Sequence, residues 1–308
     1  MVKGRLASSR LDNFTPKLQN GFEKQFLKSI GDYGSGDLVD IVRNSMYAAV
    51  MDNLFGENVL PTINQKEFMV TAKHFILFDE QFEYGARLPP LFLSKWSAAK
   101  RHLLGIFSGV IRGLNQEMKE PQTETLLETL VGLVDKQHAP NYGLLLLWAS
   151  LANAIPITFW TLSFIHSDQG VLNKLRSDID NAVQTVQKDG NICYDEEFFR
   201  KVPYLKWCIL EAIRLKSVGI ITRRVVKAFQ VKGQTIPEGD MLMLSPFWAH
   251  RNPKYFENPN HYNPDRWRNA DLEKNLFLDG FVAFGGGRYQ CPGRYDLGIN
   301  ILITFKIV

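Results

Sequence analysis

Three cysteines in 308 residues are too few for a disulfide framework, and Cys193, Cys208 and Cys291 fall at no paired metal-ligand spacing. That thiol content fits a reducing, cytosol-facing setting. Charge of one sign is also scarce. Lys and Arg number 36 against 32 Asp and Glu, for a net charge of +4. With no dense basic run, this excludes nucleic-acid binding through a basic face. There is no internal repeat and no low-complexity linker, and Met1-Val-Lys-Gly-Arg5 carries no apolar leader. Apolar residues make up 45% of the chain and charged residues 22%, which allows a sizeable core and excludes bulk disorder.

Long apolar runs are rare too. One stretch, residues 137–167, has no Asp, Glu, Lys or Arg. Its apolar heart, 144–165, is long enough to span a bilayer. Ser150, Asn153, Pro156 and several further hydroxyl residues load it heavily for lipid. A buried central helix is therefore expected, with a membrane span as the alternative.

Elsewhere the first half reads as helix after helix, and the pattern returns at 170–188. Phe14, Leu18, Phe22 and Phe26 form one stripe. Asp37 can cap a helix carrying Leu38, Ile41, Val42 and Met46. Further helices are predicted over 66–82 (closed by Gly85 and Pro89-Pro90), 93–114, 123–135 and 170–188. After Lys216 the pattern changes. Residues 224–231 read as one strand, Lys232-Gly233-Gln234 as a turn and 241–244 as a second strand. Residues 252–267, rich in Pro and Asn, form an irregular meander. The expected fold class is mainly α with a small β-sheet, in a single domain 1–308. Its helical part is 1–217, built round a central helix 141–166. Strands, meander and a glycine-rich loop follow in 218–308.

Three motifs carry chemistry. Glu211 and Arg214, three apart, share a helix face. Such a pair is usually a solvated contact worth little. Here Trp207, Ile209, Leu210, Ile213 and Leu215 surround it, which argues for partial burial and for further partners. Asn263-Pro264-Asp265-Arg266-Trp267 follows. The third is Phe284-Gly-Gly-Gly-Arg-Tyr-Gln-Cys-Pro-Gly293. A glycine-rich loop delivering one thiolate suits a haem iron held by sulfur, with backbone amides crowding the sulfur. The other reading of Cys291 is a buried structural cysteine in a turn.

Together these motifs resemble the cytochromes P-450, the haem-thiolate monooxygenases. The family loop reads Phe-x-x-Gly-x-Arg-x-Cys-x-Gly, and Phe284, Gly287, Cys291 and Gly293 fall on it. Tyr289 stands where the family usually has arginine, with Arg288 one place early. The resemblance implies haem b with Cys291 as axial iron ligand, and Phe284, Gly287, Arg288 and Gly293 around it. It places Arg223 on a haem propionate, with an ordinary strand-edge arginine as the alternative. It also implies a structural Glu211–Arg214–Arg266 network that locks the meander. Most members carry an acid-threonine pair over the haem. Here Ala152 and Asn153 occupy those places, a departure shared with the sterol 7α-hydroxylase branch and its prostacyclin-synthase relatives. Asn153 is thus the catalytic candidate at the oxygen site. It also reads as a core asparagine bonded to backbone that Pro156 frees.

The blocks Asn141-Tyr-Gly-Leu-Leu-Leu-Leu-Trp-Ala-Ser-Leu, Lys206-Trp-Cys-Ile-Leu-Glu, Leu242-Met-Leu-Ser-Pro-Phe-Trp and His250-Arg-Asn-Pro-Lys-Tyr-Phe are similar to oxysterol 7α-hydroxylases of that branch. They imply hydroxylation of a sterol or oxysterol, as in bile-acid synthesis, in a pocket shaped by Trp148, Ile155, Ile220 and Ile221. Electrons would come from NADPH through an NADPH-cytochrome reductase, at the cytosolic face of the endoplasmic reticulum membrane. A prostacyclin-synthase-like isomerase would need no reductase. A third reading is a non-catalytic haem-binding or interaction fragment. Against the family pattern the chain looks short at both ends, lacking an anchor and flanking strands, so weak haem binding or aggregation is expected of it.

Overall fold

The computed structural model describes residues 37–55, 65–85, 87–116, 132, 134–135, 137–186, 196–270, 279–285 and 291. The stripe of Phe14, Leu18, Phe22 and Phe26 lies outside them, as does the expected helix over 123–135 except for residues 132, 134 and 135. The chain divides into two compact units, which meet in sequence between Phe159 and Trp160.

In the first unit Asp37 opens helix α1, Leu38–Phe55. Its Oδ1 accepts the Val39 N–H at 3.0 Å, satisfying a donor that the helix itself leaves unpaired. Val42, Met46, Tyr47, Met51 and Phe55 turn into the core. Helices α2, Gln65–Glu80, and α3, Phe82–Gly85, follow. Pro89-Pro90 then forces a 3-10 turn, Pro90–Phe92, before α4, Ser94–Gln116. The Trp96 indole N–H bonds the Phe78 carbonyl at 3.1 Å and its ring stacks on Phe78, fastening α4 to α2. Helix α5, Ala139–Leu151, packs on α1 and α4 through Leu144, Leu147 and Leu151.

The expected central helix is two helices. Helix α6, Ala154–Ser167, starts after a turn at Ala152 and Asn153. Pro156 accounts for the break, because it has no N–H for the carbonyl of Ala152 one turn earlier. By length and composition Ala139–Ser167 could cross a membrane, and 39% of its most apolar window is buried.

In the second unit Asp168 caps α7, Gln169–Val186, accepting the Gly170 and Val171 N–H groups at 2.9 and 3.1 Å. Helices α8, Glu196–Lys201, and α9, Pro203–Lys216, follow. Helix α9 is the core of this unit, with every residue from Cys208 to Leu215 buried.

The expected strand over 224–231 divides in two. Strand β1 is Ile221–Arg224, β2 Phe229–Val231, β3 Gln234–Ile236 and β4 Met241–Leu244. These form nested antiparallel hairpins. Ile221 faces Leu244 in the outer pair, and Phe229 faces Ile236 in the inner one. Val225 ends the outer ladder, donating to Asp240 and accepting from Gly239 at 2.8 and 2.9 Å. The chain bends at 226 and 227 before the inner pair begins. Lys232 (φ 48°) and Gly233 (φ 80°) supply the two left-handed residues that a tight two-residue hairpin requires. Helix α10, Pro246–Ala249, leads into the meander, which closes on a 3-10 turn, Pro264–Trp267, capped by the Asn263 side chain.

Candidate functional site

The centre of the second unit is one carboxylate. Glu211 and Arg214 are fully buried and Arg266 nearly so, at 0%, 0% and 10% side-chain exposure. A lone buried carboxylate would be very costly, and this one accepts five hydrogen bonds. Oε1 takes Arg214 Nη2 at 2.7 Å, Arg266 Nε at 2.9 Å and the Asn263 backbone N–H at 3.0 Å. Oε2 takes Arg214 Nε and Trp267 Nε1, both at 2.9 Å. The paired Glu211–Arg214 bonds use the planar fork of the guanidinium. The rest of the Arg214 fork reaches into the meander, to the carbonyls of His250 (2.7 Å), Pro259 (2.6 Å) and His261 (3.2 Å). Arg266 bonds the Glu257 carbonyl at 3.1 Å. A segment without a regular ladder is thus ordered by two guanidiniums.

The network continues toward the glycine-rich loop. His250 is fully buried. Its Nδ1 lies 3.0 Å from the Arg214 carbonyl, and the Val282 N–H points at its Nε2, also at 3.0 Å. A backbone N–H only donates, so Nε2 is the acceptor and the proton sits on Nδ1. Burial pushes the imidazole down to about 4, the Arg214 and Arg251 charges act the same way, and the bond to the Arg214 backbone works against them. An aromatic path runs alongside. Phe281 stacks on His250 (5.0 Å between centroids), meets Trp267 edge-on at 4.7 Å and touches Phe284 at 5.9 Å.

At Gly285 (φ 66°) the loop turns through a conformation that favours glycine, and the Gly285 N–H bonds the Val282 carbonyl at 3.0 Å. The Cys291 N–H returns to the Phe284 carbonyl at 2.9 Å, closing the loop. Cys291 is exposed, whereas Cys208 is buried in α9. Burial pushes the Cys208 thiol up to about 12 and keeps it protonated. Among the described residues no group of three or more His, Cys, Asp or Glu could hold a bare metal ion. One exposed soft sulfur ligand fits a metal whose other positions an organic macrocycle fills, as in haem, better than an ion needing several protein ligands. Gly287, Arg288 and Gly293 lie outside the described residues.

The other expected site residues are spread along the chain. Arg223 is exposed on β1, and its Nη1 donates to the Thr222 carbonyl. Ile220 is 59% exposed and Ile221 half-buried. In the first unit Asn153 is exposed in the turn between α5 and α6. Ile155 is buried. Trp148 stacks on Phe82 at 3.9 Å, and its indole N–H bonds Asp79 Oδ1 at 2.8 Å, anchoring α5 to α2. Sequence reasoning assigned no role to His250, Trp267 or Asn263. The signal for Trp267 was adjacency to Arg266. For His250 it was a histidine directly after the short apolar run Pro246-Phe-Trp-Ala249.

A family model described as Cytochrome P450 matches residues 11–295. The 24-hydroxycholesterol 7-alpha-hydroxylase of Mus musculus is 42% identical over 313 residues, and that of Homo sapiens 40%. Each alignment covers 100% of this chain and 66% of the relative, so the chain spans just under two thirds of their length. A crystal structure of a cytochrome P450DA heme domain shares the fold. Its TM-score is 0.82 at 12% identity, over 100% of this chain and 68% of that one.

Proposed function

The chain belongs to the cytochrome P450 family, and from that premise we propose a haem-thiolate monooxygenase that 7α-hydroxylates an oxysterol, with 24-hydroxycholesterol as the first candidate. The observation that carries the substrate is the 42% identity, over the whole of this chain, to the murine enzyme of that name. Cys291 would hold the haem iron, with Phe284, Gly287, Arg288 and Gly293 shaping the loop, and Arg223 would bind a propionate. When bound, haem ligated by a thiolate supplies dioxygen activation, placing one oxygen atom in a C–H bond and releasing the other as water, with two electrons from NADPH.

The rest falls to the chain's own side chains. The Glu211–Arg214–Arg266 network holds the meander and, through His250 and Phe281, the start of the loop. Asn153 presents an amide at the helix break, beside the Ala152 carbonyl that Pro156 leaves without its helical donor. Such a pair would hold and orient a water by hydrogen bonds where most of the family uses an acid and a threonine. Trp148 and Ile155 in the first unit, and Ile220 and Ile221 in the second, would each offer apolar surface to a flat lipid. The electron donor would be a flavoprotein reductase, and the place of work the cytosolic face of the endoplasmic reticulum membrane.

The first test is the reduced, carbon monoxide-bound spectrum of the haem-loaded chain, with Cys291→Ala as control. A strongly red-shifted Soret band that the substitution abolishes is expected. A reductase-coupled assay on 24-hydroxycholesterol should then give the 7α-hydroxy product only with NADPH. Product without NADPH would instead mark an isomerase, a reading that Asn153 keeps in view because the two branches share it.

A further inference from the structure

Among the described residues, the buried histidine after the short helix α10 is the one titratable group of the second unit that bonds both the end of a core helix and the start of the glycine-rich loop. His250 stands between them with both ring nitrogens engaged. Its Nδ1 is 3.0 Å from the Arg214 carbonyl near the end of α9, and its Nε2 accepts the Val282 N–H at 3.0 Å. Val282 in turn accepts the Gly285 N–H, and Phe284 accepts the Cys291 N–H, at 3.0 and 2.9 Å. A short series of bonds therefore runs from the guanidinium that holds the Glu211 carboxylate to the backbone of the cysteine. The ring is also clamped by stacking, with Phe281 at 5.0 Å and 17°.

We propose that His250 is a positioning residue for the thiolate loop, acting through the acceptor at Nε2. The backbone amide at the start of the loop needs a buried acceptor, and a ring fixed at its other nitrogen supplies one in a set direction. No other side chain is seen to fill that place among the described residues. The residue does not touch the reacting atoms. It sets where the Phe284 carbonyl stands, and so where the Cys291 amide and thiol are presented. The aromatic contact through Phe281 supports the same segment but cannot replace the bond, because a ring stack fixes distance and tilt without fixing an N–H direction.

The inference deepens the proposed function and rests on it only for the spectral arm of its test. Three substitutions separate the two nitrogens. His250→Gln keeps an acceptor near the Nε2 position, His250→Asn keeps polarity only near Nδ1, and His250→Phe keeps the stack alone. Hydrogen exchange of the peptide covering 281–285 is measured in the chain without haem. We expect a rise of about tenfold or more for the Asn and Phe variants and about wild-type protection for Gln. In the haem-loaded chain, the lifetime of the thiolate-type carbon monoxide spectrum should fall at least about fivefold for Asn and Phe and be retained by Gln. A purely structural role would lower protection in all three alike. Equal loss in all three variants, or wild-type exchange in the Phe variant, would overturn the proposal. Failure of the function reading is told apart, because it appears as a missing thiolate spectrum in the unsubstituted chain while the exchange comparison stands.

Discussion

Each unit of the molecule contains a carboxylate that accepts a tryptophan N–H, and the two are stabilised in opposite ways. Glu211 takes Trp267 at 2.9 Å together with two guanidiniums and a backbone amide, and it is fully buried. Asp79 takes Trp148 at 2.8 Å and is half-buried, and among the described residues no cation contacts it. Burial raises the Asp79 carboxyl above its usual range, with the Glu80 charge acting alongside and the Trp148 bond and the Arg43 charge acting against it. The same hydrogen bond therefore does different work. At Glu211 it completes a compensated charge that fastens a meander. At Asp79 it joins two helices and leaves the charge a small liability. Deep burial of an ion is tolerable only where donors meet it from every side.

The largest effect that can break this comparison is Glu211→Ala. It strands Arg214 with no anion in the core, and about 3–5 kcal/mol of stability should be lost. Chemical denaturation of the full chain would read this as a large fall in midpoint or as loss of a cooperative transition. A change below about 1 kcal/mol would mean that the network is not compensating a buried charge.

Acid is the next lever. His250 sits near 4 in the folded chain against an ordinary value of about 6.5, so between those pH values the unfolded chain binds the extra proton. Stability therefore rises with pH across that window and is lost as pH falls through it, by roughly 3 kcal/mol over the full range. Below it, a proton on Nε2 would face the Val282 N–H. His250→Gln should flatten this part of the stability–pH curve; an unchanged slope would assign the acid sensitivity elsewhere.

The smallest effect is Asp79→Asn. The amide keeps an oxygen for Trp148 and removes the charge. A raised carboxyl contributes stability below its ordinary value and loses it as pH rises through the folded one, so at neutral pH the substitution should stabilise, by no more than about 1 kcal/mol. A loss of several kcal/mol would show that Asp79 has an ionic role like that of Glu211.

What was legible in the sequence was mostly local. Asp37 as a cap, the helix closed by Gly85 ahead of Pro89-Pro90, and the shared face of Glu211 and Arg214 all follow from spacing within a turn or two. The break at Ala152–Asn153 was written in Pro156, which predicts a kink there, although the kink goes further and divides the helix in two. The division of 224–231 was not legible, because alternation marks strand-forming residues but not where a chain leaves one hairpin for another inside it. Arg266 could be paired with Glu211 only by resemblance, since the two are 55 residues apart. His250 and Asn263 escaped altogether. Their bonds go to or from backbone groups, which every residue carries, so no pattern of side chains announces them.

The Arg214 fork also has a kinetic side. Its three meander carbonyls lie 36, 45 and 47 residues along the chain, and the segment they come from has no ladder of its own. Closing loops of that length costs entropy before any bond repays it, which places these contacts late on the folding route. Bonds that form late act mainly on the rate of escape from the native state. One guanidinium then works less as a brace than as a latch, and how long the meander stays fastened to the helix depends on how seldom that latch lifts.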